Sequence, residues 1–227
     1  PFYGSSVSSG GAVYVAHYRE FAINQQYLAS YKKTFADLHN FDVLAGYESY
    51  NLKLQELQGS NTKIYNPTIG ELNNAIASPP RVASFTNEYT TMGYLARIQY
   101  DYDEKYFVSA SYRRDASSRF HPDNRWGNFG SVGLAWLINK ENFMSNVSWI
   151  DMLKFKASYG IQGNDNLGNY YAYADQYSVT NSNGDFAVSF SYKGNKDITW
   201  ETSYAFNTGF DFELFGNRLN GTVEYFN

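Results

Sequence analysis

The sequence predicts an all-β protein, and within that class an antiparallel transmembrane β-barrel segment of about eight strands. Three observations carry the prediction: a heavy aromatic load, long runs of period-2 alternation, and connections that are alternately short and long. Of 227 residues, 19% are aromatic, with 22 Tyr, 17 Phe and 4 Trp. Aromatic side chains lose rotamer freedom on a helix and sit well on a pleated sheet. A content of 43% hydrophobic and 18% charged residues excludes disorder, and 18 Gly with only 5 Pro matches neither collagen nor a proline-rich linker.

The alternation is read along the chain, because successive side chains of a strand face opposite sides of its sheet. Fainter strands lie at Glu20–Lys33 and Phe41–Gln58. Tyr94–Tyr102 sets Tyr94, Ala96, Ile98, Tyr100 and Tyr102 against Leu95, Arg97, Gln99 and Asp101. After Asp103 and Glu104 the return run sets Tyr106, Val108, Ala110 and Tyr112 against Phe107, Ser109, Ser111 and Arg113, which makes a hairpin. A faint strand follows at Phe129–Leu137. Leu153, Phe155, Ala157, Tyr159 and Ile161 then oppose Lys154, Lys156, Ser158, Gly160 and Gln162. A second hairpin runs from Trp200, with Phe206, Phe210 and Phe212 facing away from Glu201, Asp211 and Glu213. It turns at Gly216 and Asn217 into Leu219, Val223 and Tyr225 against Asn220 and Glu224. Strands of roughly 9 to 15 residues are longer than the ordinary mode of about 5 to 6.

Short links at Thr34–Asn40, Asp103–Glu104, Ile138–Ile150 and Leu214–Asn217 interleave with long ones at Gly59–Asn87, Asp115–Asn128 and Gly163–Asp197. Long alternating strands trimmed at one end and elaborate at the other fit a membrane barrel, in which every backbone group must be paired internally. A soluble β-sandwich is the alternative reading of the alternation. In a barrel, Arg97, Gln99, Asp101, Lys154, Lys156, Glu201, Asp211 and Glu224 face the lumen. Ile98, Tyr100, Val108, Leu153, Phe155, Phe206, Phe210 and Val223 face lipid, and the long loops emerge on the extracellular side. The link Ile138–Ile150 is expected to hold a short helical turn capped by Asn139, or else a simple turn.

The net charge of −4 excludes a nucleic-acid surface, which needs a clustered basic excess. With no Cys, disulfides and thiolate chemistry are excluded, as expected of a bacterial envelope protein. The longest apolar run, Val132–Ile138, falls far short of a membrane helix. His17, His39 and His121 have no metal-ligand spacing, and no catalytic or cofactor-binding motif is present. No catalytic, cofactor or metal site is therefore predicted. Lys154 and Lys156 are expected to pair with Glu201, Asp211 or Glu224 rather than to bind an anionic solute. In the loop between Arg113 and Asn128, the residues Arg113, Asp115, Arg119, Asp123 and Arg125 are close enough to brace it by Arg–carboxylate forks. Gly163–Asp197, rich in Asn and Tyr, reads either as a plain exposed loop or as a sugar-stacking one. The chain starts without an initiator Met or a signal segment, so it is expected to be a piece of something larger.

Four blocks carry a family resemblance: RRDASSRFHPDNRWGNFGS (Arg113–Ser131), IDMLKFKASYGIQGN (Ile150–Asn164), NKDITWE (Asn195–Glu201) and LFGNRLNGTVEYFN (Leu214–Asn227). Together with KTFADLHNFDVLAGYE (Lys33–Glu48), and in this order, they closely resemble the barrel of SusC/RagA-like TonB-dependent outer-membrane transporters. Ala116 where Gly is usual, Leu137 where a basic residue often follows the Trp, and Lys196 in place of a frequent Pro depart from the pattern at turns and strand ends. The resemblance implies that residues 1–227 are an interior part of a single barrel domain of about 22 strands, with the plug domain and signal peptide outside this chain. It further implies location in the outer membrane of a Gram-negative bacterium and active import of oligosaccharides or peptides. The implied partners are a SusD-like surface lipoprotein as lid, outer-membrane lipid, and the TonB complex, which is reached through parts not in this chain. No cofactor is implied. A complete small structural barrel and an extracellular β-rich binding module or adhesin are the rival readings.

Overall fold

The computed structural model describes residues 10–77 and 79–227. Its strands are β1 (Ala12–Phe35), β2 (His39–Thr62), β3 (Arg81–Tyr102), β4 (Tyr106–Ser117), β5 (Trp126–Leu137), β6 (Ile150–Asn164), β7 (Gln176–Ser182), β8 (Asp185–Tyr192), β9 (Glu201–Leu214) and β10 (Leu219–Phe226). Eight of them form one sheet in the order β1-β2-β3-β4-β5-β6-β9-β10, while β7 and β8 pair separately. The sheet is an open meander in this segment, with β1 and β10 at its ends. No helix among the described residues is long and apolar enough to cross a membrane.

The chain divides into two compact units, Pro1–Ile23 with Asn51–Tyr89, and Asn24–Tyr50 with Thr90–Asn227. In the first, the Tyr14 hydroxyl donates to Gln58 Oε1 at 2.7 Å and Lys53 pairs with Glu88 at 3.1 Å. Its loop is tied by Asn74, whose Nδ2 donates to the carbonyls of Asn66 (2.6 Å) and Ile69 (2.8 Å). In the second unit, the connections 36–38, 103–105, 138–149 and 215–218 leave one end of the sheet. The connections 118–125 and 165–200 leave the other.

The short turns are left-handed, which matches the twist of the strands they join. Ala36 and Asp37 have φ of 50° and 55°, and Asp103 and Glu104 have 53° and 49°. The link 138–149 holds two single-turn 3₁₀ helices, Ile138–Lys140 and Asn142–Met144. Asn139 does not cap the first of these, which starts from Leu137. Its amide instead clamps the start of β6, donating to the Asp151 carbonyl (3.1 Å) and accepting from Leu153 N (3.3 Å).

The long connections differ from expectation. The segment Gly59–Asn87 contains paired strand at both ends, so the loop is only 63–80. Gly59, Ser60, Asn61 and Thr62 have the composition of a turn, and with polar residues on both faces they leave no alternation to read. Likewise β4 runs to Ser117, β5 starts at Trp126, and Gly163–Asp197 contains the β7–β8 hairpin. That hairpin turns at Asn183–Gly184 with φ of 56° and 98°, the Asn-Gly signature of a two-residue turn. The small core lies where the long connections of the second unit gather. Phe120 is fully buried there, and Ala116, Ser117 and Ala172 are buried as well.

Candidate functional site

The hydrogen-bond register fixes which side chains share a face. Arg97 stands opposite Ser111, Gln99 opposite Ser109 and Asp101 opposite Phe107. The same rows continue through Ser131, Gly133 and Ala135 of β5 to Gly160, Ser158 and Lys156 of β6. They reach Ala205, Asn207 and Gly209 of β9, with Gly209 between Lys156 and Glu224; the next row sets Asp211 between Lys154 and Thr222, and Glu201 faces Asn164. Arg97, Gln99, Asp101, Lys154, Lys156, Glu201, Asp211 and Glu224 therefore all project from one face. Ile98, Tyr100, Val108, Leu153, Phe155, Phe206, Phe210 and Val223 project from the other.

The polar face is concave. It encloses a trough of about 1180 Å³ lined by Asp42, Gln99, Asp101, Lys154, Lys156 and Glu224, among others. Charges on it are paired across strands: Lys156 Nζ lies 2.8 Å from Asp211 and also contacts Glu224. Lys32 pairs with Asp42 at 2.8 Å, and Asn40 donates to Asp101 at 2.9 Å. Glu201 accepts from Asn164 Nδ2 at 3.0 Å instead of pairing with a Lys. Lys154 and Arg97 form no ion pair among the described residues.

Near the long-loop end of this face, Arg113 holds Asp115 through Nε at 2.8 Å and reaches Glu48 through Nη2 at 2.6 Å. The contact passes over Gly93, which lies opposite Asp115 in the register. A Cβ on Gly93 would sit 1.9 Å from Asp115 Oδ1, so any larger residue there forces the Asp115 carboxylate out of its place in the triad.

Of the other brace candidates, Arg119 does tie two loops together. Its Nη1 donates to the Asp165 carbonyl (3.1 Å) and Asn166 Oδ1 (3.0 Å), and its guanidinium lies over the Tyr170 ring at 5.3 Å. Asp123 and Arg125 do not form the expected forks. Asp123 is exposed and faces His121 at 3.3 Å. The Arg125 side chain makes no ion pair among the described residues, and the bracing runs through its carbonyl, which accepts from Trp200 Nε1 at 2.8 Å. Proximity in sequence suggested forks here, but apolar packing dominates: Phe120 and Phe129 both pack on Trp200, with centroids at 5.5 and 5.1 Å. Sequence reasoning missed this knot, although the aromatic residues that build it lie in the family-like blocks.

The apolar face carries aromatic rows at two heights. Towards the long loops, Tyr27, Tyr47, Tyr94 and Trp126 follow one another at 6.4, 5.3 and 6.3 Å. Towards the short turns, Tyr102, Tyr106 and Trp136 stack at 6.4 and 6.3 Å. Trp126 and Trp136 are ten residues apart on β5. That is about 34 Å along a strand and about 24 Å across a membrane at a tilt of about 45°, close to the apolar band of such barrels.

Outside the strands, two carboxylates are held ionised. Gly194 N–H and Lys193 lower the pKa of Asp175 at the base of the β7–β8 hairpin. The Tyr106 hydroxyl and Trp136 Nε1 lower that of Glu141 on the short-turn side. No group of acidic residues and histidines capable of holding a metal ion occurs among the described residues.

A curved sheet that is apolar with two aromatic rows on its convex side, and polar with paired charges on its concave side, is the wall of an outer-membrane β-barrel. The chain belongs to the TonB dependent receptor-like β-barrel family, whose model matches residues 2–227. It is 36% identical over 206 residues to TonB-dependent receptor P39 of Formosa agariphila, covering 86% of this chain and 19% of that protein. It is 30% identical over 196 residues to TonB-dependent receptor SusC of Bacteroides thetaiotaomicron, covering 82% of this chain and 19% of SusC. A structure of the RagAB peptide transporter superposes with a TM-score of 0.84 at 26% identity, over 94% of this chain and 24% of the other. The RagAB peptide importer in its open-open state gives 0.82 at 26% identity, with the same coverage. The chain thus spans about a fifth of the curated relatives it matches. It is a segment of an outer-membrane barrel of SusC/RagA type from a Gram-negative bacterium, a family of receptors and transporters rather than of enzymes.

Proposed function

We propose that this segment is interior wall and loops of a TonB-dependent active importer of oligosaccharides or peptides that works with a SusD-like surface lipoprotein. The observation that carries the reading is the register-locked opposition of the faces: a trough with Lys156, Asp211 and Glu224 inside, and an aromatic-banded face outside. A polar lumen suits a hydrophilic solute, and the lipid-facing band holds the wall in place. The likeness to a peptide transporter and to SusC supports this substrate range. In this reading residues 1–227 belong to one barrel domain, a plug supplied by other parts of the protein fills the lumen, and the TonB complex supplies energy. The connections 63–80, 118–125 and 165–200 are extracellular, where they meet solute and lipoprotein. Uptake by the full-length protein in cells with and without TonB tests the proposal. Loss of uptake without TonB is expected, and uptake unchanged in its absence contradicts active import.

A further inference from the structure

Arg113 and Arg114 are neighbours in sequence and point to opposite faces of β4. Arg113 is consumed by Glu48 and Asp115 on the concave side. Arg114 stands on the convex side, in one register row with Tyr94 of β3 and Asn128 of β5. Its guanidinium lies 5.0 Å from the Trp126 ring, which in turn stacks on Tyr94 at 6.3 Å and 16°. The Tyr112 hydroxyl donates to Asn128 Oδ1 at 2.7 Å, so the Asn128 oxygen is occupied and its amide nitrogen is the donor that remains. Arg114 has no carboxylate partner among the described residues, and its side chain is exposed.

The patch therefore offers the five N–H donors of one guanidinium and the Asn128 amide, held by rings, with a positive charge and no anion. A cation on the lipid face is costly at mid-membrane and tolerated near the interface, and Arg114 lies at the aromatic row beside the long loops. A planar fork of this kind matches a phosphate group. We propose that Tyr94, Arg114, Trp126 and Asn128 form a binding site for the phosphate of a lipid in the leaflet next to the long loops. The inference rests on the convex face being the lipid-facing one. The ring beneath the guanidinium keeps the fork from collapsing onto the protein, so the site is preorganised before the lipid arrives.

The test uses the full-length transporter, purified in detergent and exchanged into micelles containing lipopolysaccharide or, separately, phosphatidylglycerol. Retained lipid is quantified for the wild type, Arg114→Gln, and the control Arg218→Gln at the opposite end of the sheet. A spin label at Val132, in the apolar band of the same face, reports independently whether that face meets lipid. The expected result is a loss of retention of about tenfold in Arg114→Gln, with Arg218→Gln like the wild type. Dependence on Arg114 with either lipid supports the site and names its source. If Arg114→Gln yields little folded barrel, Arg114→Lys keeps the charge and is expected to fall between the two. Equal retention by wild type and Arg114→Gln, with the Val132 label in lipid, overturns the proposal. So does an Arg114-dependent loss that persists when the lipopolysaccharide phosphates have been removed enzymatically, or retention abolished by inorganic phosphate without dependence on Arg114. A Val132 label shielded from lipid shows that the face assignment, not the phosphate chemistry, has failed, and the proposal falls with it.

Discussion

Gly93 shows how one residue can govern a polar cluster it does not itself join. Because a Cβ there would lie 1.9 Å from Asp115 Oδ1, Gly93→Ala is expected to push Asp115 away from Arg113 and to lower the yield of heat-resistant folded barrel on a gel. Arg113→Lys keeps the charge but not the two-directional reach to Glu48 and Asp115, and is expected to cost about 1–2 kcal/mol after solvent screening, read from a urea midpoint. Phe120 tests a different kind of contact. Removing a fully buried ring costs about 3–5 kcal/mol in protein cores, and here the loss falls on the loop knot around Trp200. Phe120→Ala is thus expected to expose 118–125 to protease while the barrel stays folded. Arg125→Ala, by contrast, removes no ion pair, and since Trp200 bonds to the Arg125 carbonyl it is expected to leave the knot intact.

At the level of elements, the strands were legible because both faces of each are specified: Tyr94–Tyr102 and Met152–Gln162 alternate without a break, and their pairing follows that parity. Where one face is polar and the other is polar too, as in Gly59–Thr62, nothing in the sequence distinguishes strand from turn. The β7–β8 hairpin was legible in principle from Asn183–Gly184 and the alternation around it, but the surrounding Asn, Ser and Gly gave the whole connection the composition of a loop. The charged pairs were legible as a set but not as partners, since sequence does not say that Lys156 rather than Lys154 meets Asp211 and Glu224. The hairpin hangs from Asp175, whose pKa is lowered by Gly194 N–H and Lys193. A carboxylate depressed in the folded state stabilises above its unfolded pKa, and that contribution is lost as pH falls through the folded value. The hairpin base is therefore expected to loosen below about pH 4, with faster hydrogen exchange at Gly194, and Asp175→Asn is expected to remove the pH dependence. Replacing residues 176–192 by a short turn is expected to leave barrel assembly unchanged and to impair solute capture or lipoprotein association, since loops carry specificity and strand pairing carries the wall.

Across the whole molecule, one parity rule joins these observations: from β3 to β10 of the large sheet, the register fixes which side chains share a face, and a slip of one residue would invert them all. The family match and the likeness to RagAB place that wall in an outer-membrane barrel, and the trough and aromatic rows support the proposal that the polar face is the lumenal one. The most direct test is a nitroxide scan of β3 from Arg97 to Tyr102 in the full-length protein in bilayers, reading collision with oxygen dissolved in the lipid at each position. High accessibility at Ile98, Tyr100 and Tyr102 alternating with low accessibility at Arg97, Gln99 and Asp101 is the expected result. Uniform accessibility, or alternation in the opposite phase, contradicts the assignment of the polar face to the lumen.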